Sequence, residues 1–110
     1  MQHMAGYMEI EAAELEQLLA NSTILLVDVR NDDEVARGMI PQARHIPLHL
    51  LPLKIEDICG ETPVVFYCHS GMRSAQAASF MAGKWNGIIY NLRGGILAWG
   101  KSGFPIAPKP

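Results

Sequence analysis

A short run of β-branched and aromatic residues, Val64 to Tyr67, leads directly into Cys68, a glycine-bearing loop and an Ala-rich segment from Ser74 to Lys84. Without polar alternation, such a run suits a strand covered on both faces, and the alanine-rich segment suits a helix. Cys68 therefore falls at a strand's carboxyl end, just before a helix amino terminus. Open α/β sheets place their ligands there, and unpaired backbone N–H groups and the helix dipole favour negative charge. A thiolate at position 68, and an anionic substrate beside it, are both expected to be stabilised.

The same alternation runs through the rest of the chain. Glu11 to Ala20 carries Ala12, Leu15, Leu18 and Leu19 at helical spacing, with Asn21 as a stop. Ile24 to Val29 is an aliphatic strand that delivers Asp28 and Arg30 to its end. Asn31, Asp32 and Asp33 cap a short helix that Gly38 closes. Ile40-Pro41 turns into a short strand at Ala43 to Pro47, and Leu48 to Ile58 reads as a helix broken at Pro52. After the cysteine loop come a helix over Arg73 to Lys84, a strand at Ile88 to Leu92, and a helix at Ile96 to Lys101 entered through Gly94-Gly95. This spacing predicts an α/β domain, a parallel sheet with helices on both faces. It spans residues 8–104, between a start (1–7) read as an expression remnant or disordered and a Pro-rich tail at 105–110.

With 110 residues, 49% of them hydrophobic, the chain supports one core and not two. No apolar run approaches the roughly 18 residues of a membrane span, and the start lacks a secretory pattern, so a cytoplasmic protein without a membrane partner is expected. No basic cluster or aromatic ladder points to nucleic acid. Cys59 and Cys68 are too few for a disulfide scaffold and lack zinc-site clustering, which leaves free-thiol chemistry with no metal or cofactor. Cys59 fits an apolar gap-filler, and only Cys68 has a reactive setting. All 11 acidic residues lie between Glu9 and Glu61, where Arg30, Arg37, Arg44 and Lys54 leave −7. From Thr62 onward Arg73, Lys84, Arg93, Lys101 and Lys109 give +5 with no acid. Either this charge balances in three dimensions, or the half bearing Cys68 is free of carboxylates that would repel an anion.

Four pieces of the chain stand out together: Asp28-Val29-Arg30 followed by Glu34; Gly38-Met39-Ile40-Pro41-Gln42-Ala43-Arg44-His45-Ile46-Pro47; Cys68-His69-Ser70-Gly71-Met72-Arg73-Ser74; and Leu92-Arg93-Gly94-Gly95-Ile96-Leu97-Ala98-Trp99. In order and spacing they resemble the single-domain rhodaneses, a sulfurtransferase family. The resemblance implies a five-stranded sheet and a cysteine that carries sulfur as a persulfide. The chain departs from the family pattern at Val35, at Met39 after Gly38, and at Gln42 and His45 in the run Gln42-Ala43-Arg44-His45, all away from the cysteine loop. Four residues, His69 to Met72, separate Cys68 from Arg73. Cysteine phosphatases place five there to encircle a phosphate, and a shorter ring of N–H donors better matches one sulfur atom.

Cys68 is the candidate nucleophile, attacking the outer sulfur of thiosulfate or of a persulfide donor and holding it as Cys68–S–S⁻ for a thiol, cyanide or protein acceptor. The candidate substrate-binding residues are His69, Ser70, Gly71, Met72, Arg73 and Ser74. Arg73 either binds a substrate oxyanion or pairs with Asp28, because a cation at a helix amino terminus calls for an anion. Gly71 supplies a positive φ. Ser70 and Ser74 offer hydroxyls, with Ser74 equally suited to satisfying the helix start. His69 lends a positive field or simply faces solvent, and Met72 forms an apolar rim. Arg93 borders the same crevice or belongs to a helix-entry turn, and Trp99 packs in the core. The alternatives are a persulfide carrier acting with a protein partner and, disfavoured by the loop length, a cysteine phosphatase or arsenate reductase.

Overall fold

The computed structural model describes residues 6–110, so Met1 to Ala5 of the suspected remnant lie outside the described residues. Five strands form one parallel sheet in the order β1-β5-β4-β2-β3. They are β1 (Met8–Ile10), β2 (Leu25–Asp28), β3 (Arg44–His45), β4 (Val64–Tyr67) and β5 (Ile89–Leu92). The helices are α1 (Ala12–Asn21), α2 (Asp32–Val35), α3 (Leu51–Ile58), α4 (Met72–Ala82) and α5 (Gly95–Lys101), with a 3-10 turn at Leu48–Leu50 leading into α3. Pro52 therefore sits in the first turn of α3, where its missing N–H is harmless, rather than breaking a longer helix. None of these helices is long and apolar enough to cross a membrane.

β4 lies in the middle of the sheet, and all four of its side chains are fully buried. Val64 and Phe66 face one layer with Cys68, packed on Leu51 and Ile58 of α3 and on Ala77, Ala78 and Met81 of α4. Val65 and Tyr67 face the other, packed on Ala12 and Leu15 of α1 and Trp99 of α5. Each such side chain contributes about 1.5–3 kcal/mol on burial, so the strand that aims Cys68 is the most firmly anchored in the sheet. Small residues on α4 let that helix approach closely, which brings its amino terminus over the end of β4.

Two elements go beyond the residue-level reading. β1 is a three-residue edge strand with an acid at its centre; β5 recruits it through Met8↔Tyr90, Glu9↔Asn91 and Ile10↔Leu92. The Pro-rich tail returns to the domain: Met39 and Ala107 exchange backbone bonds of 2.7 and 2.8 Å, and the Trp99 indole N–H donates to the Pro105 carbonyl at 2.8 Å.

Candidate active site

Cys68 follows β4 directly and is itself 0% exposed. Its Sγ accepts the Gly71 N–H at 3.1 Å and the Ser74 hydroxyl at 3.4 Å. Burial opposes the thiolate. Against it act the Ser74 hydroxyl and the backbone N–H groups of Ser74, Gly71 and Ser70, and together they bring the thiol below its ordinary value. Donors from a tight loop and from the first turn of α4 thus converge on one sulfur atom.

The loop holds this shape because its carbonyls are tied outward. The first N–H groups of α5 reach back: Ile96 donates to the Cys68 carbonyl at 2.9 Å and Leu97 to the His69 carbonyl at 3.2 Å. In a planar trans peptide the N–H points opposite to the C=O, so anchoring these two oxygens to α5 turns the His69 and Ser70 N–H groups away from that helix, and the Ser70 N–H is one of those that favour the thiolate. Gly71 completes the loop at φ 107°, where a Cβ would also press on the Leu92 carbonyl and Gly94 nitrogen at 3.3 Å. Gly95 permits the close approach of α5, since a Cβ there would overlap the carbonyl oxygens of Cys68 and His69.

His69, Ser70 and Met72 are exposed at the mouth, Met72 to 78%. Ser74 is buried against the sulfur. Neither Ser70 nor His69 makes a side-chain bond to Sγ among the described residues. A cleft of ≈ 480 Å³ opens beside the loop, bordered by His69, Arg73, Arg37, Ile96 and Ile106. A larger groove of ≈ 530 Å³ runs along α1 past Leu18 and Tyr90 and includes no residue of the loop.

Arg73 pairs with Glu34, not with Asp28. Its guanidinium makes a two-pronged contact with the Glu34 carboxylate at 2.7 and 2.8 Å, and Arg73 holds that carboxyl down at about 2. Glu34 Oε1 also accepts the Asn31 N–H at 2.9 Å, closing the start of α2. Asp28 is taken by Arg30, buried, at 2.8 Å, and the Arg30 guanidinium also donates to the Gly38 carbonyl at 2.7 Å. Tyr67 lies under this pair, its hydroxyl accepting the Ile40 N–H at 3.0 Å. Burial, reinforced by Asp28, pushes the phenol well above its ordinary range and keeps it neutral.

The half of the chain bearing Cys68 is therefore not free of carboxylates in space: Glu34 meets Arg73, Glu9 meets Asn91, and Glu11 meets Arg93 at 2.8 Å. That last pair makes Arg93 an exposed surface contact. Cys59 is partly buried against the α3–α4 core and free. Trp99 packs in the core at 2% exposure. Sequence reasoning overlooked Asn91, whose side-chain N–H group donates to the Gly71 carbonyl at 3.1 Å and to both Glu9 oxygens at 3.0 Å. Its one signal was its place immediately before the Leu92-to-Trp99 motif.

A parallel five-stranded sheet with a cysteine cradled at the end of its central strand has clear counterparts. Residues 11–102 match the rhodanese-like domain, and the chain belongs to that family. It is 46% identical over 99 residues to a sulfurtransferase of Allochromatium vinosum, covering 89% of this chain and 92% of that one. It is 29% identical to the thiosulfate sulfurtransferase GlpE of Ectopseudomonas mendocina, over 93% of this chain and 92% of that one. A rhodanese-like domain protein of Staphylococcus aureus superposes with a TM-score of 0.81 at 31% identity, covering 93% and 98% of the two chains. These relatives support sulfur transfer as the activity at the level of the family.

Proposed function

We propose that this chain transfers sulfane sulfur through a persulfide on Cys68, taking it from thiosulfate or a persulfide donor. The observation that carries this is the convergence of the Gly71 N–H and the Ser74 hydroxyl on Sγ. Donors placed there favour the attacking thiolate and, one atom further out, the terminal anion of the persulfide. In the first half-reaction the Cys68 thiolate attacks the outer sulfur of thiosulfate; a new S–S bond forms, the bond to the sulfite sulfur breaks, and sulfite leaves with its electron pair. In the second, an acceptor such as cyanide attacks the terminal sulfur, the persulfide bond breaks, and thiocyanate departs from a restored thiolate. No general base is assigned, because the donors around Sγ lower the cost of forming the thiolate. Arg73, held by Glu34, contributes an attractive positive field to the sulfur rather than a free hand for substrate.

Steady-state thiocyanate formation tests this. The wild-type chain should turn over thiosulfate and cyanide, and Cys68→Ser should lose more than about 10³-fold of that rate. Sulfur transfer that survives in Cys68→Ser, or hydrolysis of phosphate esters in its place, would overturn it.

A further inference from the structure

We infer that Asn91, clamped by Glu9, is the positioning residue that keeps the Cys68 cradle aimed at sulfur. It touches neither Sγ nor any atom that would react; it acts through Gly71. This rests on the proposed persulfide chemistry and names the part of the fold on which that chemistry depends.

Asn91 is 2% exposed in β5, directly across from Glu9 of the edge strand β1. Its side-chain NH2 group serves both partners, donating to the Gly71 carbonyl at 3.1 Å and to the two Glu9 oxygens at 3.0 Å each. Its Oδ1 is left buried with no partner. Buried polar atoms are nearly always satisfied, so an orphan of this kind marks a place where orientation matters more than local satisfaction. The carboxylate explains the orientation: it only accepts, so turning the amide over would set Oδ1 against both Glu9 and the Gly71 carbonyl.

Gly71 is the pivot of the loop. Its N–H reaches Sγ, while its carbonyl takes the Ala75 N–H of α4 at 3.2 Å as well as Asn91. The helical bond aligns this carbonyl with the axis of α4, and the Asn91 bond fastens it to the sheet. At φ 107° Gly71 has wide conformational freedom, so its orientation needs an external tether. The sheet supplies that tether through a strand that lies at the opposite end of the sequence from its partner. The charged and titratable groups around the loop include His69 within it, Arg73 of α4, Glu34 of α2, Arg30 and Arg37 across the cleft, and Glu9 of β1.

Two variants test the assignment, Asn91→Leu, which removes the donor, and Glu9→Leu on the edge strand, which removes the clamp. The readouts are the pH midpoint of the Cys68 thiolate by ultraviolet absorbance and the kcat and KM for thiosulfate. Both variants should move the thiolate midpoint upward and lower kcat, about tenfold for Asn91→Leu since a donor is misaligned rather than deleted, with KM changed less than kcat. Deleting the negative charge of Glu9 would by simple electrostatics favour the thiolate and move its midpoint down; an upward shift therefore separates positioning from charge. Midpoints that stay put or fall in a cooperatively folded Glu9→Leu protein would overturn the assignment, and that variant decides the matter should Asn91→Leu fail to fold. A wild-type chain that takes up no sulfur, yet shows the upward shifts, would refute the sulfur-transfer proposal and leave the positioning role standing.

Discussion

Replacing Ser74 by alanine removes one donor from the sulfur and little else. Ser74 is fully buried and its hydroxyl meets Sγ at 3.4 Å, so alanine fits the same space and loses only that bond. A hydrogen bond to a charged partner is worth roughly 1.5–3 kcal/mol. The long contact and the diffuse charge of sulfur place this one at the lower end. About 1.5 kcal/mol corresponds to about a tenfold loss in the thiolate-to-thiol ratio. The Gly71 N–H, and the N–H groups of Ser70 and Ser74 that also favour the thiolate, remain in the variant. The assay is thiolate absorbance between about pH 4 and pH 10, with Cys68→Ser as the blank so that Cys59 cancels. The Ser74→Ala curve should move to higher pH, and sulfur uptake from thiosulfate below the midpoint should fall about tenfold. Coincident curves for wild type and Ser74→Ala would refute the claim that this hydroxyl stabilises the thiolate.

Three further outcomes follow from the surrounding contacts. The Glu34 carboxyl is held at about 2 by Arg73, so the pair stabilises the fold fully above the unfolded carboxyl value of about 4.3 and loses its effect as pH falls through the folded value. The pair is partly open to solvent, so Glu34→Gln should cost about 1 kcal/mol in urea unfolding at neutral pH; the gap should narrow in acid, and a gap independent of pH would contradict the ion-pair account. Gly95→Ala would drive a Cβ into the Cys68 and His69 carbonyls and should destabilise the fold by more than about 2 kcal/mol while abolishing sulfur uptake; a near-neutral, active variant would show that α5 does not shape the loop. Tyr67→Phe strands the Ile40 N–H and should cost about 1–3 kcal/mol in thermal or urea unfolding with kcat unchanged; a large fall in kcat would give the phenol a chemical role it lacks here.

The cysteine loop was legible because its chemistry is local. Val64 to Tyr67 suits a buried strand, Gly71 marked the turn, and Cys68 to Ser74 are consecutive, so geometry followed from order. The α/β layering was legible for the same reason, from alternating runs of aliphatic and helical spacing. What the chain concealed were contacts between distant segments. β1 is three residues long, with Glu9 inside it, and exists because β5 offers an edge some 80 residues later. Arg73 reads from the sequence as a ligand for a substrate oxyanion or a partner of Asp28, but the guanidinium of Arg30, two residues from Asp28, reaches that carboxylate first and leaves Glu34 to meet Arg73. The charge asymmetry left open whether acids balance it in space, and the fold brings Glu9 and Glu11 back to the carboxyl half. Helix α4 begins at Met72 rather than Arg73 because the left-handed Gly71 serves as its cap.

Intact mass spectrometry of the folded, reduced chain after exposure to thiosulfate measures the persulfide itself. A gain of about 32 Da, one sulfur atom, confined to Cys68, absent in Cys68→Ser, present in Cys59→Ser and discharged by cyanide, is the predicted result. An unchanged mass, or a sulfur adduct that remains when Cys68 is serine, would contradict the proposed chemistry.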